Sequence, residues 1–364
     1  MNNGIETLNP QQKHWRSGTP LVERMGIRAW LLATIACGCL TGCEKPSEND
    51  AAGQTNGPDD IIVIAMLPKL KNIAYFDACH RGARKAAEEL GVELIYDGPT
   101  EPSGSEQNKF IETWIRQGVD AICVAPNQPK TIRRFVEKAQ AQGIKVLTWD
   151  SDAPESGRTL MVNQIDDQRL GELLIDDIAR QMNEEGEWAI AIASLDAANL
   201  NNWRRIAEAR ATQRYPKMKL VETVVTQEDE NEARKLIETL LNAHANLKGI
   251  IAFDSNSVPG AAEALKRTGK AGQVALTGNT TPGKMKAYLK EDILESFYLW
   301  DPRALGDLTI RVAVAAVKGQ EIKPGTELKG HGKLRFSDTD PTMLILSDPI
   351  RFTKQNIDDY DWGF

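Results

Sequence analysis

The sequence predicts an α/β fold made of two Rossmann-like, parallel-sheet lobes in tandem. Three observations carry this reading. From residue 61 onward, short apolar or β-branched runs alternate with amphipathic helical stretches. The runs are apolar throughout rather than alternating, as strands covered on both faces require. The first four recur about 127 positions downstream in the same order, although no residue-level repeat is visible.

The N-terminus comes first. Arg24 and Arg28 precede AWLLATIACGCLTGC, an apolar run too short to span a bilayer stably and closed by small residues. This is the layout of an export signal, and Leu40-Thr41-Gly42-Cys43 looks like a bacterial lipobox. Residues 1–42 are therefore expected to be a lipoprotein signal peptide, with Cys43 lipidated and the protein anchored by that lipid in the periplasm. The alternative is an uncleaved anchor formed by residues 29–42. Residues 43–60 are polar, rich in Gly, Pro and Asp, and aperiodic, which predicts a flexible tether.

The strand candidates follow in order: IIVIAML (61–67), VELIY (92–96), AICVA (121–125), KVLTW (145–149), WAIAIA (188–193), LVETVV (220–225), GIIAF (249–253) and VALTG (274–278). Between them lie helical patterns such as RGARKAAEEL, TIRRFVEKAQAQG and EARKLIETLLNAH. The tail departs from the alternation after FYLWDP (297–302), and from 341 it reads as chain returning over the first half to brace the hinge. Cys79 and Cys123 lack metal or redox spacing and are expected as packed, free thiols.

Composition narrows the partners. The 364-residue chain is 41% hydrophobic and 26% charged, with a formal net charge of −7 and no basic block. Phosphate binding needs clustered Lys and Arg, so nucleic acid and anionic membrane surfaces are disfavoured.

The strand ends carry the functional signal. In open parallel sheets, ligands bind beyond the carboxyl ends of the strands. Those ends supply Lys69, Asp97, Asn127, Asp150, Asp196, Asp254, Asn279 and Asp301, with Tyr75, Phe76, Trp149, Trp203, Phe253 and Trp300 beside them. Planar acceptors next to aromatic faces suit a small neutral sugar-like ligand. Asp97 before Gly-Pro reads better as a turn residue. Asp196 is open between helix cap and ligand group, and Tyr75-Phe76 between core pair and cleft rim. Catalytic motifs are missing, and nothing calls for a cofactor or metal. Asp150 and Asp152 imitate a glycosidase pair, but the loop after Asp150 leaves nothing to fix them across one bond.

The stretches LPKL (67–70), YDGPTEPS (96–103), VLTWDSD (146–152), NNW (201–203), IIAFDSN (250–256), TGNTTP (277–282) and LWDP (299–302) resemble the type I periplasmic solute-binding proteins of ABC sugar transporters. The resemblance covers about 61–364 and is nearest the autoinducer-2-binding and rhamnose-binding branch. It implies two lobes joined by a three-segment hinge, near 152–155, 277–302 and 325–340. The N-terminal lobe would span 61–152 plus about 280–325, and the C-terminal lobe and hinge 153–279 plus about 326–364. The lobes would close over the ligand, and a membrane permease would read the closed form. It implies binding roles for Lys69, Tyr75, Phe76, Asp150, Asn199, Asn201, Phe253, Asp254, Ser255, Asn279, Trp300 and Asp301. The family's Asp-Gln pair falls on Asn199 and Leu200 here, so a monosaccharide is expected ahead of autoinducer-2. A monomeric carrier serving an ABC permease is the leading expectation. A sugar sensor for a histidine kinase or chemoreceptor is the alternative, and a carbohydrate hydrolase is a third.

Overall fold

The computed structural model describes residues 61–360 and 362. The expected signal peptide, Cys43 and the tether lie outside these residues.

The first sheet has the order β2-β1-β3-β4 at its heart, all parallel: β1 (Val63–Leu67), β2 (Glu93–Tyr96), β3 (Ala121–Val124) and β4 (Lys145–Trp149). Helices α1 (Ala74–Leu90), α2 (Gly104–Gln117) and α3 (Arg133–Gln140) connect them. α1 ends on Gly91, whose φ of 66° supplies the left-handed turn that closes the helix. Ser103 starts α2 by accepting a hydrogen bond from the Glu106 amide.

The chain does not leave this sheet at residue 152, as expected from the sequence. A fifth strand, β5 (Leu160–Ile165), pairs in parallel with β4, so 153–165 belongs to the first lobe. The run LMVNQI hid this strand because Asn163 and Gln164 interrupt its apolar character; both are nevertheless buried. Asn163 Nδ2 donates to the Ile165 carbonyl.

The second sheet repeats the arrangement as β7-β6-β8-β9, again parallel. Its elements are α4 (Asp167–Gln181), β6 (Gly186–Ile192), α5 (Ala198–Arg214), β7 (Met218–Val225), α6 (Glu230–Ala243), β8 (Leu247–Ala252), α7 (Ser257–Arg267) and β9 (Ala275–Gly278). Helix α8 (Pro282–Lys290) stays on this lobe, with Lys284 hydrogen-bonded to Asn256 and Tyr288 to Glu263. Strand β10 (Ser296–Leu299) extends the sheet through a single bridge, Asn279 to Tyr298. Residues 280–299 therefore lie with the second lobe rather than the first.

Helix α9 (Pro302–Val317) returns to the first lobe and packs on α1. The two backbones nearly touch. A Cβ on Gly82 would lie 1.8 Å from the Arg303 carbonyl oxygen, and one on Gly306 would lie 1.9 Å from that of Cys79. The tail then serves both lobes. After a two-residue hairpin, β11 (Glu327–Leu328) and β12 (Gly332–Lys333), the short β13 (Arg335–Phe336) and β14 (Met343–Ser347) complete the first sheet beside β5. Strand β15 (Ile350–Thr353) pairs antiparallel with β10. The chain crosses between lobes three times, at 165–167, 299–302 and 347–350. Cys79 and Cys123 are buried and unpaired, in line with expectation.

Candidate functional site

Each sheet delivers its strand ends to one shared cavity. The first lobe contributes Lys69, Tyr75, Phe76 and Asp150; the second contributes Asn199, Asp254, Ser255 and Asn279. Trp300 comes from the crossing between β10 and α9. Nine of the twelve residues expected from the sequence thus meet here. A second chamber shares Lys69, Leu200 and Glu228 with the first and is rimmed by Asn127, Gln128 and Asp196.

Asp150 is held by its backbone as much as by its side chain. Directly after β4 it adopts φ 60°, and the Ser151 amide folds back to the Trp149 carbonyl at 2.6 Å. Asp tolerates this left-handed conformation better than most residues. The carboxylate accepts the Tyr75 hydroxyl at 2.7 Å on Oδ1 and meets Lys69 Nζ at 3.1 Å on Oδ2. Tyr75 accepts in turn from Trp300 Nε1 at 3.0 Å, making a chain Trp300–Tyr75–Asp150. Burial and the adjacent Asp150 charge raise the Tyr75 hydroxyl well above its ordinary pKa, so it stays a donor.

Lys69 also donates to Asn199 Oδ1 at 2.8 Å, a bond between the two lobes. Its own loop is fixed from below. Buried Gln107 donates to the Pro68 and Ala125 carbonyls, and Asn127 Nδ2 donates to the Lys69 carbonyl at 2.9 Å.

On the second lobe, Asp254 accepts the amides of Asn256 and Ser257 and the Ser257 hydroxyl at the start of α7. It both fastens the helix and lines the cavity. Burial nevertheless raises its pKa, partly offset by the Ser257 contacts. Glu228 follows β7 through two successive left-handed residues, Gln227 (φ 56°) and Glu228 (φ 59°), a conformation costing about 1–2 kcal/mol each. Its carboxyl is pushed up to about 8, first by burial and then by the neighbouring Asp254.

The rings form a connected wall. Trp203 and Trp300 have centroids 5.9 Å apart, and Tyr75 meets Trp300 edge-on at 5.9 Å. Trp203 is aimed by Asp167, which accepts its Nε1 at 2.7 Å and the Asn202 amide at 2.8 Å. Burial raises the pKa of Asp167, and these bonds oppose that rise.

Three expected residues lie off the cavity. Phe253 is fully buried in the core. Asn201 turns back to the Ser194 and Ala197 carbonyls within its own helix start. Asp301 caps α9, accepting the Arg303 amide and pairing with the Arg303 guanidinium at 2.9 Å. Asp97 is a turn residue, bound to the Gly98 amide and Lys71. Conversely, Glu228 and Leu299 line the cavity without having been expected there; Leu200, which falls on the family's Gln, and Trp203, read beside the strand ends, line it too. Glu228 had a sequence signal: it lies just past the sixth apolar run, LVETVV, at another strand end.

The glycosidase-like geometry is absent. Asp152 is taken up by Arg158 in a two-pronged pair, with 2.7 Å to each carboxylate oxygen, and also accepts Thr148 Oγ1. Arg158 reaches on to Asp340 and Thr342, so the group clamps the chain entering β14 rather than facing the cavity.

Comparison with known proteins agrees with this architecture. Residues 64–321 match the family described as periplasmic binding protein domain. The chain is 24% identical to the ribose import binding protein of Bacillus subtilis over 80% of this chain and 94% of that one. Among solved structures it resembles LsrB from Clostridium saccharobutylicum in complex with AI-2, with a TM-score of 0.77, 26% identity, and coverage of 83% of this chain and 100% of that one. A solute-binding protein from Clostridium phytofermentans with bound L-rhamnose gives a TM-score of 0.78, 26% identity, and coverage of 84% and 99%. The chain belongs to the periplasmic binding protein domain family, alongside solute-binding proteins of sugar ABC transporters rather than enzymes.

Proposed function

We propose that this protein is an extracytoplasmic carrier, lipid-anchored through Cys43, that captures a monosaccharide between its lobes and hands it as a monomer to an ABC importer. The observation that carries the reading is the composition of the cavity: strand ends from two sheets supply acceptors and rings to one shared space. Closure of the lobes about the three crossings at 165–167, 299–302 and 347–350 would bury the ligand and present a surface to the permease. Leu200 on the cavity wall supplies no hydrogen bond, which favours a monosaccharide over AI-2 as the ligand.

A thermal-shift screen of the chain from Cys43 onward against monosaccharides and AI-2 tests this. A ligand at a hundredfold its Kd should stabilise by about 2.7 kcal/mol. No shift with any sugar would end the carrier reading. For the anchor, radiolabelled palmitate should be incorporated by the wild type and not by Cys43→Ser.

A further inference from the structure

The cavity holds acceptors that no hydrogen bond meets. Asn279 Oδ1 is buried, in a residue 5% exposed, and has no partner. Asp150 Oδ2 takes no hydrogen bond and is met only by the Lys69 ammonium as an ion pair. Glu228 feels Asp254, Lys69 and Asp150 only through space. Lys69, whose ammonium faces the cavity, is already engaged by Asn199 and Asp150. Three carboxyl groups thus share the cavity with one committed cation.

Resting on the sugar-carrier reading, we infer that the ligand carries a protonated amine among its hydroxyls, an amino sugar, with the ammonium received by Glu228, Asp254 and Asn279. An ammonium brings three donors and a positive charge, matching one orphaned carbonyl and two mutually repelling carboxyls. A hydroxyl brings one donor and leaves the repulsion in place. Burial first, and then the Asp254 charge, push the Glu228 carboxyl up against the opposing pull of Lys69, and an ammonium beside the pair would draw it back down. Strand-end residues alone suggested a neutral sugar because Glu228 was not among them.

Calorimetric titration of the chain from Cys43 onward, at pH 7, would use D-glucosamine, D-galactosamine and D-mannosamine against D-glucose, D-galactose and D-mannose, with D-ribose and L-rhamnose alongside. At least one amino sugar should bind more than about tenfold tighter than its hydroxyl parent, and Glu228→Gln should remove most of that difference. Asn279→Asp, which adds charge at constant size, should strengthen amine binding. Equal binding of amine and parent, or tight binding only of D-ribose or L-rhamnose, would overturn the amine assignment and leave the carrier reading intact. Retention of the amine preference in a folded Glu228→Gln protein would also overturn it. Failure of every sugar to bind would overturn both.

Discussion

Lys69 Nζ and Asn199 Oδ1, 130 residues apart in sequence, lie 2.8 Å apart in a buried hydrogen bond that joins the loop after β1 to the first turn of α5. The bond crosses the cleft, so it links binding chemistry to lobe position. Lys69→Met should remove about 1.5–3 kcal/mol of charge-assisted hydrogen bonding. The ligand-free variant should then give a larger radius of gyration in solution scattering than the wild type. Equal radii would mean that this contact does not hold the lobes together.

Asp150 combines a left-handed backbone with a buried ion pair. Asp150→Asn keeps the shape and the tolerance for positive φ but loses the charge facing Lys69. Asp150→Ala loses both, leaving Tyr75 without its acceptor and Lys69 without its counter-charge. Breaking such a pair costs about 3–5 kcal/mol, and alanine at φ 60° adds about 1–2. Urea unfolding should rank wild type above Asp150→Asn above Asp150→Ala.

The stability of the protein should fall as pH rises through the neutral range. The Glu228 carboxyl is pushed up to about 8 in the fold from an ordinary 4.5. Between those values the native state binds more protons than the unfolded chain, so each step up in pH favours unfolding. Burial raises Asp254 in the same direction. The wild type should lose several degrees of Tm between pH 5 and 8, and Glu228→Gln should flatten the slope. An identical slope in the variant would place the titration elsewhere.

Trp300 is buried at the cavity and donates to Tyr75. Trp300→Phe preserves most of the ring contact and drops one hydrogen bond, a loss of about 0.5–1.5 kcal/mol. Intrinsic fluorescence should change when ligand binds the wild type, and most of that change should vanish in Trp300→Phe. Persistence of the full change would shift the reporting role to Trp203.

The Arg158 clamp gives the opposite kind of prediction. Arg158→Ala strands Asp152, whose carboxylate is largely buried, and frees Asp340 and Thr342. The variant should be destabilised by roughly 3 kcal/mol or more in urea unfolding. Its ligand affinity should stay within about threefold of wild type, since the clamp does not line the cavity. A greater loss of affinity would tie the β14 entry to the site.

The eight strands read from apolar runs were legible because each sheet is covered on both faces, which forces continuous hydrophobic stretches. β5 was not, since Asn163 and Gln164 are buried in a strand whose polarity resembles a loop. The lobe boundaries drifted for the same reason: with β5 unseen, the first crossing was read some dozen residues early. At the site, the rule that strand ends carry ligand groups located Lys69, Asp150, Asp254 and Asn279. It misjudged Asp301, because a carboxylate after a strand can serve the next helix equally well. Only the Arg303 side chain in space decides between those roles. Trp203 and Leu200 reach the cavity from the first two turns of α5, whose lack of a periodic apolar face gave no sign of how the helix would be aimed.

The weave of the tail has a consequence for biogenesis. Since β14 closes one sheet and β15 flanks the other, both edges stay open until some three hundred residues of folded sequence have emerged. A polypeptide threaded through a secretion channel from its N-terminus would expose two unfinished β-edges for most of its passage. Such edges invite pairing with other chains, a hazard that ends only when β14 and β15 have taken their places.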